Sequence, residues 1–148
     1  MAASTQYQDF TTSPRLKIAA LWASMLFVFV YVDLFSLFRS DVRADIEAGE
    51  IFGFTIGQGY LLGVTAYVAL PSLLLSLTVV LPARATRMTN LVAAALYALT
   101  VIGGTVGESY YYYVLGSVLE VVLLVGIVYY AWTWPTVSGS RSAPGDPS

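Results

Sequence analysis

The sequence predicts an all-α protein: a four-transmembrane-helix bundle, N-in/C-in, with a short extracytoplasmic interfacial helix. Three observations predict it. Four apolar stretches are each long enough to cross a bilayer core, which takes about 20 residues for about 30 Å. The chain is 57% hydrophobic and 11% charged, whereas a soluble domain carries about 25% charged residues. Its Lys and Arg residues fall mainly on one side of these stretches, which sets the orientation.

The chain has 148 residues, enough for one domain. Residues 1–15, "MAASTQYQDFTTSPR", form a polar cytoplasmic segment. The transmembrane domain occupies 16–134. Its first span is expected at 16–38. That stretch is too long for the apolar region of a cleaved signal peptide, and no A-x-A site follows it. The connection "RSDVRADIEAGEIFGF" comes next. Ser40 suits an N-cap, Asp41 a first turn and Gly49 a helix end. Val42 and Ile46 sit four apart, so this helix has a side that can rest on the bundle or the membrane surface.

The second span is expected at 54–81, with Pro71 as a helix kink, and the third at 88–106. Arg84, Arg87 and Asn90 lie around the turn between them and read as a cytoplasmic anchor, with Asn90 capping or cross-linking the third span. The fourth span is expected at 110–134. From Tyr112 to Trp132 is about 30 Å at 1.5 Å per residue, so the aromatic residues at its two ends match interfacial belts. Residues 135–148, rich in Ser, Pro and Gly, read as a disordered cytoplasmic tail. Arg15, Lys17, Arg84, Arg87 and Arg141 fall on one side and only Arg39 and Arg43 on the other, which puts both termini inside.

The chain has no Cys and no His. That removes thiolate chemistry, haem ligation by His and the usual zinc sites. No phosphate loop, nucleophile elbow or metal cluster is visible, so no cofactor and no metal are expected and enzymatic activity ranks last. A net charge of −2 gives no reason to expect nucleic acid. The Arg, Ala, Val and Gly bias suggests a bacterial inner membrane by association.

Charged groups inside a span are expensive and usually face the bundle interior. Asp33 lies about 7–8 Å below the outer end of span one, and Glu120 about 15 Å down span four, near the midplane. Tyr113, Ser117 and Glu120 share one helix face, with Gly116 beside them. With Gln58 near the outer end of span two, they outline an outer-half polar pocket of Asp33, Gln58, Tyr113, Ser117 and Glu120. Pro71 leaves the Tyr67 carbonyl without its helical donor at about the depth of Glu120. A neutral Glu120, Tyr97, Thr100 or a water could fill that role. Asp33 and Glu120 are staggered in depth by about 7 Å, which argues against a shared metal. Gly59 with Gly63, and Gly103 with Gly107, have the small-xxx-small spacing that lets helices approach.

The leading functional expectation is binding of a small or lipid-like ligand, or a proton-linked activity, at that pocket. The alternative is a structural or interaction subunit of a membrane complex in which the same residues only lock helix packing. The lipid bilayer is the expected partner, with a homo-oligomer or another membrane protein left open.

The segments "LKIAALWASMLFVFVYVDLFSLF", "GQGYLLG", "LPSLLLSLTVVLPARATRMTNLVA" and "SVLEVVLLVGIVYYAWTW" together resemble an uncharacterised family of small bacterial four-helix integral membrane proteins, a domain of unknown function. The resemblance runs from about Leu16 to Trp134. The matching residues are Trp22, Asp33, Gln58, Gly59, Gly63, Pro71, Arg84, Arg87, Asn90, Glu120, Tyr130 and Trp132. Ala69 stands where the family pattern carries Glu, so a two-carboxylate site built on that Glu and Glu120 is not implied for this chain. The resemblance implies a fold and a membrane location but no activity. A fainter likeness to DoxX-like four-helix proteins rests on span count alone.

Overall fold

A computed structural model describes residues 12–135. The expected cytoplasmic segment falls largely in 1–11 and the expected tail, with Arg141, in 136–148, both outside the described residues. Four helices are long and apolar enough to cross a membrane: α1 (Pro14–Ser36), α3 (Gln58–Val80), α4 (Ala83–Thr105) and α5 (Tyr111–Trp132). The protein is a multi-pass, all-α membrane protein. Between α1 and α3 lie a short helix, α2 (Ser40–Glu47), and a two-stranded hairpin of β1 (Glu50–Ile51) and β2 (Phe54–Thr55).

Local chemistry explains most of the boundaries. Helix α1 opens with Ser13, whose side chain accepts from the Leu16 N–H at 3.4 Å, and with Pro14, which has no N–H to satisfy. Helix α2 is capped by Arg39 rather than Ser40, so Ser40 is its first helical residue and makes no side-chain cap. Gly49 ends it with φ of +80°, a conformation that favours Gly. The hairpin was not expected, because residues 54 and 55 read as the start of span two. Its turn, Phe52-Gly53, has φ of 51° and 77°, the positive pair that a two-residue turn demands. Helix α3 therefore starts at Gln58. Helix α4 begins at Ala83, five residues before the expected 88, directly after the N-cap Pro82. Arg84 and Arg87 thus belong to the helix and not to a turn. Gly107, at φ of +86°, turns the chain out of α4 toward α5.

Helix α5 is central. Both α1 and α4 pack along it, α1 also packs on α3, and α3 approaches α4 far less closely. Glycines make the α1–α5 contact close. A Cβ at Gly116 would overlap Val32 Cγ2, and one at Gly126 would come within 3.2 Å of Leu21 Cδ1. The pairs expected to do this do not. A Cβ at Gly59, Gly63, Gly103 or Gly107 would meet nothing within 4 Å. Spacing alone cannot say which face of a helix meets a neighbour.

Packing is uneven along the bundle. Ile18, Trp22, Met25, Leu74, Ala94, Tyr97, Leu124, Ile127 and Ala131 form a core toward the end that carries the α3–α4 turn, here the Pro82 end. At the opposite, α2 end, residues 61–66 of α3 are all exposed. A polar knot holds the dense half. Trp22 Nε1 donates to Asn90 Oδ1 at 2.6 Å, while Asn90 Nδ2 donates to the Thr86 carbonyl at 2.7 Å and to Thr78 Oγ1 at 3.0 Å. Asn90 lies eight residues into α4, so it is a cross-link between α1, α3 and α4 and not a cap.

Candidate functional site

The looser half of the bundle encloses a cavity of about 70 Å³. Helix α1 contributes Phe29, Val32 and Asp33, α3 contributes Tyr67, α4 contributes Thr100 and Val101, and α5 contributes Tyr113, Ser117 and Glu120. The α5 trio is spaced four and three residues apart, which keeps all three on one helix face. Gly116, next to Ser117, lets α1 come close enough for Asp33 to reach the same space.

Glu120 is 4% exposed, about 14 Å along α5 from Tyr111. Asp33 lines the cavity on one side and is exposed on the other, so it forms the rim. None of Asp33, Tyr113, Ser117 and Glu120 has a side-chain hydrogen bond to another described residue. No side-chain oxygen of the buried Ser117 and Glu120 or the half-buried Tyr113 is sealed away without a partner; the one such atom among the described residues is Arg87 Nε. Their oxygens therefore border open space. Two carboxyls facing one small cavity repel when both are ionised, so a single proton or cation between them is favoured over two bare charges.

Gln58 does not belong to this group. It is the first residue of α3, exposed, and does not line the cavity. The hairpin occupies the residues that were expected to carry it deeper into the membrane. Tyr67 and Thr100 take part instead, two residues that reading span by span had not placed in the pocket. Pro71 explains their arrangement. The Tyr67 carbonyl that it frees accepts from the Tyr97 hydroxyl. Thr100 Oγ1 donates its one proton to the Tyr97 carbonyl at 2.8 Å, so the Tyr67 hydroxyl is the donor in its 2.6 Å contact with Thr100 Oγ1. The three residues satisfy one another, and Glu120 takes no part in them.

The two ends of the bundle are closed differently. At the α2 end, Arg39 Nη1 donates to Glu108 Oε2 at 2.9 Å and Nη2 to Asp41 Oδ2 at 2.6 Å, and its guanidinium lies 3.8 Å from the Tyr110 ring centroid. Hydrogen bonds from Arg39 hold the Asp41 carboxyl down to about 2. Burial pushes Glu108 up, but the Arg39 side chain and the N–H groups of Tyr110 and Ser109 outweigh it and leave the carboxyl below its ordinary value. At the Pro82 end, the Trp22–Asn90 knot and the core around it fill the space between the cavity and the helix ends.

A family model spans residues 8–139, across all four long helices, Asp33 and Glu120. The chain belongs to DUF6326, a family of unknown function. No curated protein and no solved structure matches the chain. Membership of DUF6326 agrees with the resemblance read from the four quoted segments, and it brings no activity with it.

Proposed function

We propose that this membrane protein takes up and releases a proton at the cavity between Asp33 and Glu120, in exchange with the α2 end. One observation carries the reading: the Glu120 carboxyl is buried within a span, borders a cavity and has no hydrogen bond to another described residue. A buried polar group without a partner is costly, and such groups inside membranes are usually functional. The volume of about 70 Å³ has space for about two water molecules, which suits a hydrated proton and not a lipid. Asp33 at the rim is the group through which a proton would pass to Glu120. The Lys and Arg distribution supports a Pro82 end facing the cytoplasm and an α2 end facing outward, and the composition supports a bacterial inner membrane.

The test is infrared difference spectroscopy across a pH step on the protein in liposomes. A carboxyl band that titrates in the parent and is lost in Glu120→Gln, with the fold intact, is the expected result. A spectrum that Glu120→Gln leaves unchanged would refute the proposal.

A second reading has its own observation. The Gly59–Gly63 face of α3 is open and meets nothing in the bundle, which favours a subunit that packs on another membrane helix. Cross-linking through cysteines placed at 59 and 63 tests it. Failure to capture any neighbour in native membranes would count against it.

A further inference from the structure

The geometry points to a second site, at the Pro82 end and independent of the cavity: a phosphate site around Arg87 at the start of α4, filled by the headgroup of an anionic lipid. Nε of Arg87 is buried and has no hydrogen-bond partner among the described residues. The guanidinium carbon lies 5.8 Å from the centroid of the Trp132 ring. An aromatic ring can satisfy the face of a guanidinium but not the N–H groups in its plane. A buried donor left without an acceptor is expensive, and more so when charged. Nε is closed off from outside, but the two Nη groups of the half-buried Arg87 are not sealed away and make no hydrogen bond to a described residue, so they are free to meet an oxygen from outside.

The surroundings specify the kind of oxygen. Both ion pairs among the described residues belong to Arg39, at the far end of the bundle. The described carboxyls all lie on α1 beyond its midpoint, on α2 and β1, in the α4–α5 connection, or at Glu120, so none reaches the Pro82 end. Cations do gather there. Arg15 lies 5.6 Å from the Trp134 ring and Lys17 lies 5.0 Å from the Tyr130 ring. Arg15 is fixed in place, with Nη1 donating to the carbonyls of Thr78 and Leu81 at 3.1 and 2.5 Å. Thr86 Oγ1 donates to the same Leu81 carbonyl at 3.0 Å, so Arg15 and the first turn of α4 share an acceptor.

Helix α4 adds to this field. Its N-cap, Pro82, makes no side-chain hydrogen bond, and its first turn holds no acidic residue. The free N–H groups of that turn carry partial positive charge. Arg87 stands one turn inside, and a long side chain on a helix leans back toward the N-terminus. A planar guanidinium one turn into a helix whose first N–H groups are uncapped is a donor set suited to phosphate. Ala83 and Trp132 close their two spans at this level, which is headgroup depth.

The experiment uses the full chain in neutral detergent, with thermal unfolding followed as short-chain phosphatidylglycerol, short-chain phosphatidylcholine or inorganic phosphate is added. Phosphatidylglycerol should stabilise the parent more than phosphatidylcholine does. Arg87→Gln should bind it roughly tenfold or more weakly, the loss of a charge-assisted hydrogen bond. Arg87→Lys keeps the charge without the fork, and should also bind more weakly. It serves as the test if Arg87→Gln does not fold. Equal stabilisation by inorganic phosphate would keep the site and assign it to the free ion. The proposal fails if phosphatidylglycerol stabilises the parent and the Arg87 variants alike, or stabilises none of them.

Discussion

The hydroxyl of Tyr97 donates to the backbone carbonyl of Tyr67, the acceptor that Pro71 leaves without its helical partner. This bond joins α3 to α4 where the two helices otherwise touch little. It also releases Glu120 from any duty as a structural donor.

Tyr97→Phe should destabilise the protein by about 1–3 kcal/mol, because it leaves the Tyr67 carbonyl unsatisfied in a span. Pro71→Ala supplies a backbone N–H for that carbonyl. The double variant should then lose less than the sum of the single ones. Unfolding in mixed micelles measures all three, and strict additivity would show that the carbonyl is not shared in this way.

Glu120→Leu should be at least as stable as the parent. The Glu120 carboxyl makes no hydrogen bond to another described residue, so removing it breaks none of those bonds, and an apolar group replaces a polar one in a buried position. A loss of about 1 kcal/mol or more in the same unfolding assay would mean that Glu120 holds helices together.

Gly116→Ala should cost about 1–3 kcal/mol, since the new methyl overlaps Val32 and α1 must shift away from α5. Gly63→Ala has open space around it and should be neutral or gain up to about 1 kcal/mol from helix propensity. Melting both variants side by side checks the contrast. A large loss in Gly63→Ala, confined to native membranes, would reveal a partner on that face.

Acid should loosen the α2 end first. Glu108 and Asp41 are both held below their ordinary values by Arg39. Carboxyls lowered on folding contribute stability that is fully present above their unfolded values of about 4 and is lost as pH falls through the folded ones. Asp41 is exposed, so most of the effect belongs to Glu108. Stability measured below about pH 5 should fall with pH in the parent and fall less steeply in Arg39→Gln.

Length and hydropathy made the four spans legible, because nothing but a membrane helix accommodates some 20 apolar residues in a row. Their ends were harder. Charge suggested that Arg84 and Arg87 lie in a turn, yet Pro82 is a good helix start, and the helix runs straight through both arginines. The hairpin was hidden because its strands are two residues long and Phe52-Gly53 is not a familiar turn pair. The face of Tyr113, Ser117 and Glu120 followed from spacing on one helix. The contributions of Tyr67 and Thr100 did not, because the rotation of α3 and α4 against α5 is set by tertiary packing. Gln58 misled for a related reason: depth was counted from a span start that the hairpin displaces. The close-packed glycines Gly116 and Gly126 lie ten residues apart, about 80° apart around α5, so no regular small-residue spacing marked them.

The sorting of charged groups has an electrical consequence. Outside the spans, Asp41, Asp45, Glu47, Glu50 and Glu108 outnumber Arg39 and Arg43 at the α2 end, while Arg15, Lys17, Arg84 and Arg87 stand unopposed among the described residues at the other. The described residues thus form a dipole lying along the helix axes. A membrane voltage acts on such a dipole with about 2.3 kcal/mol per unit charge per 100 mV. A negative potential on the Pro82 side favours this orientation over the inverted one. The same field falls across the gap from Asp33 to Glu120, so any charge moving between them does so with the voltage or against it.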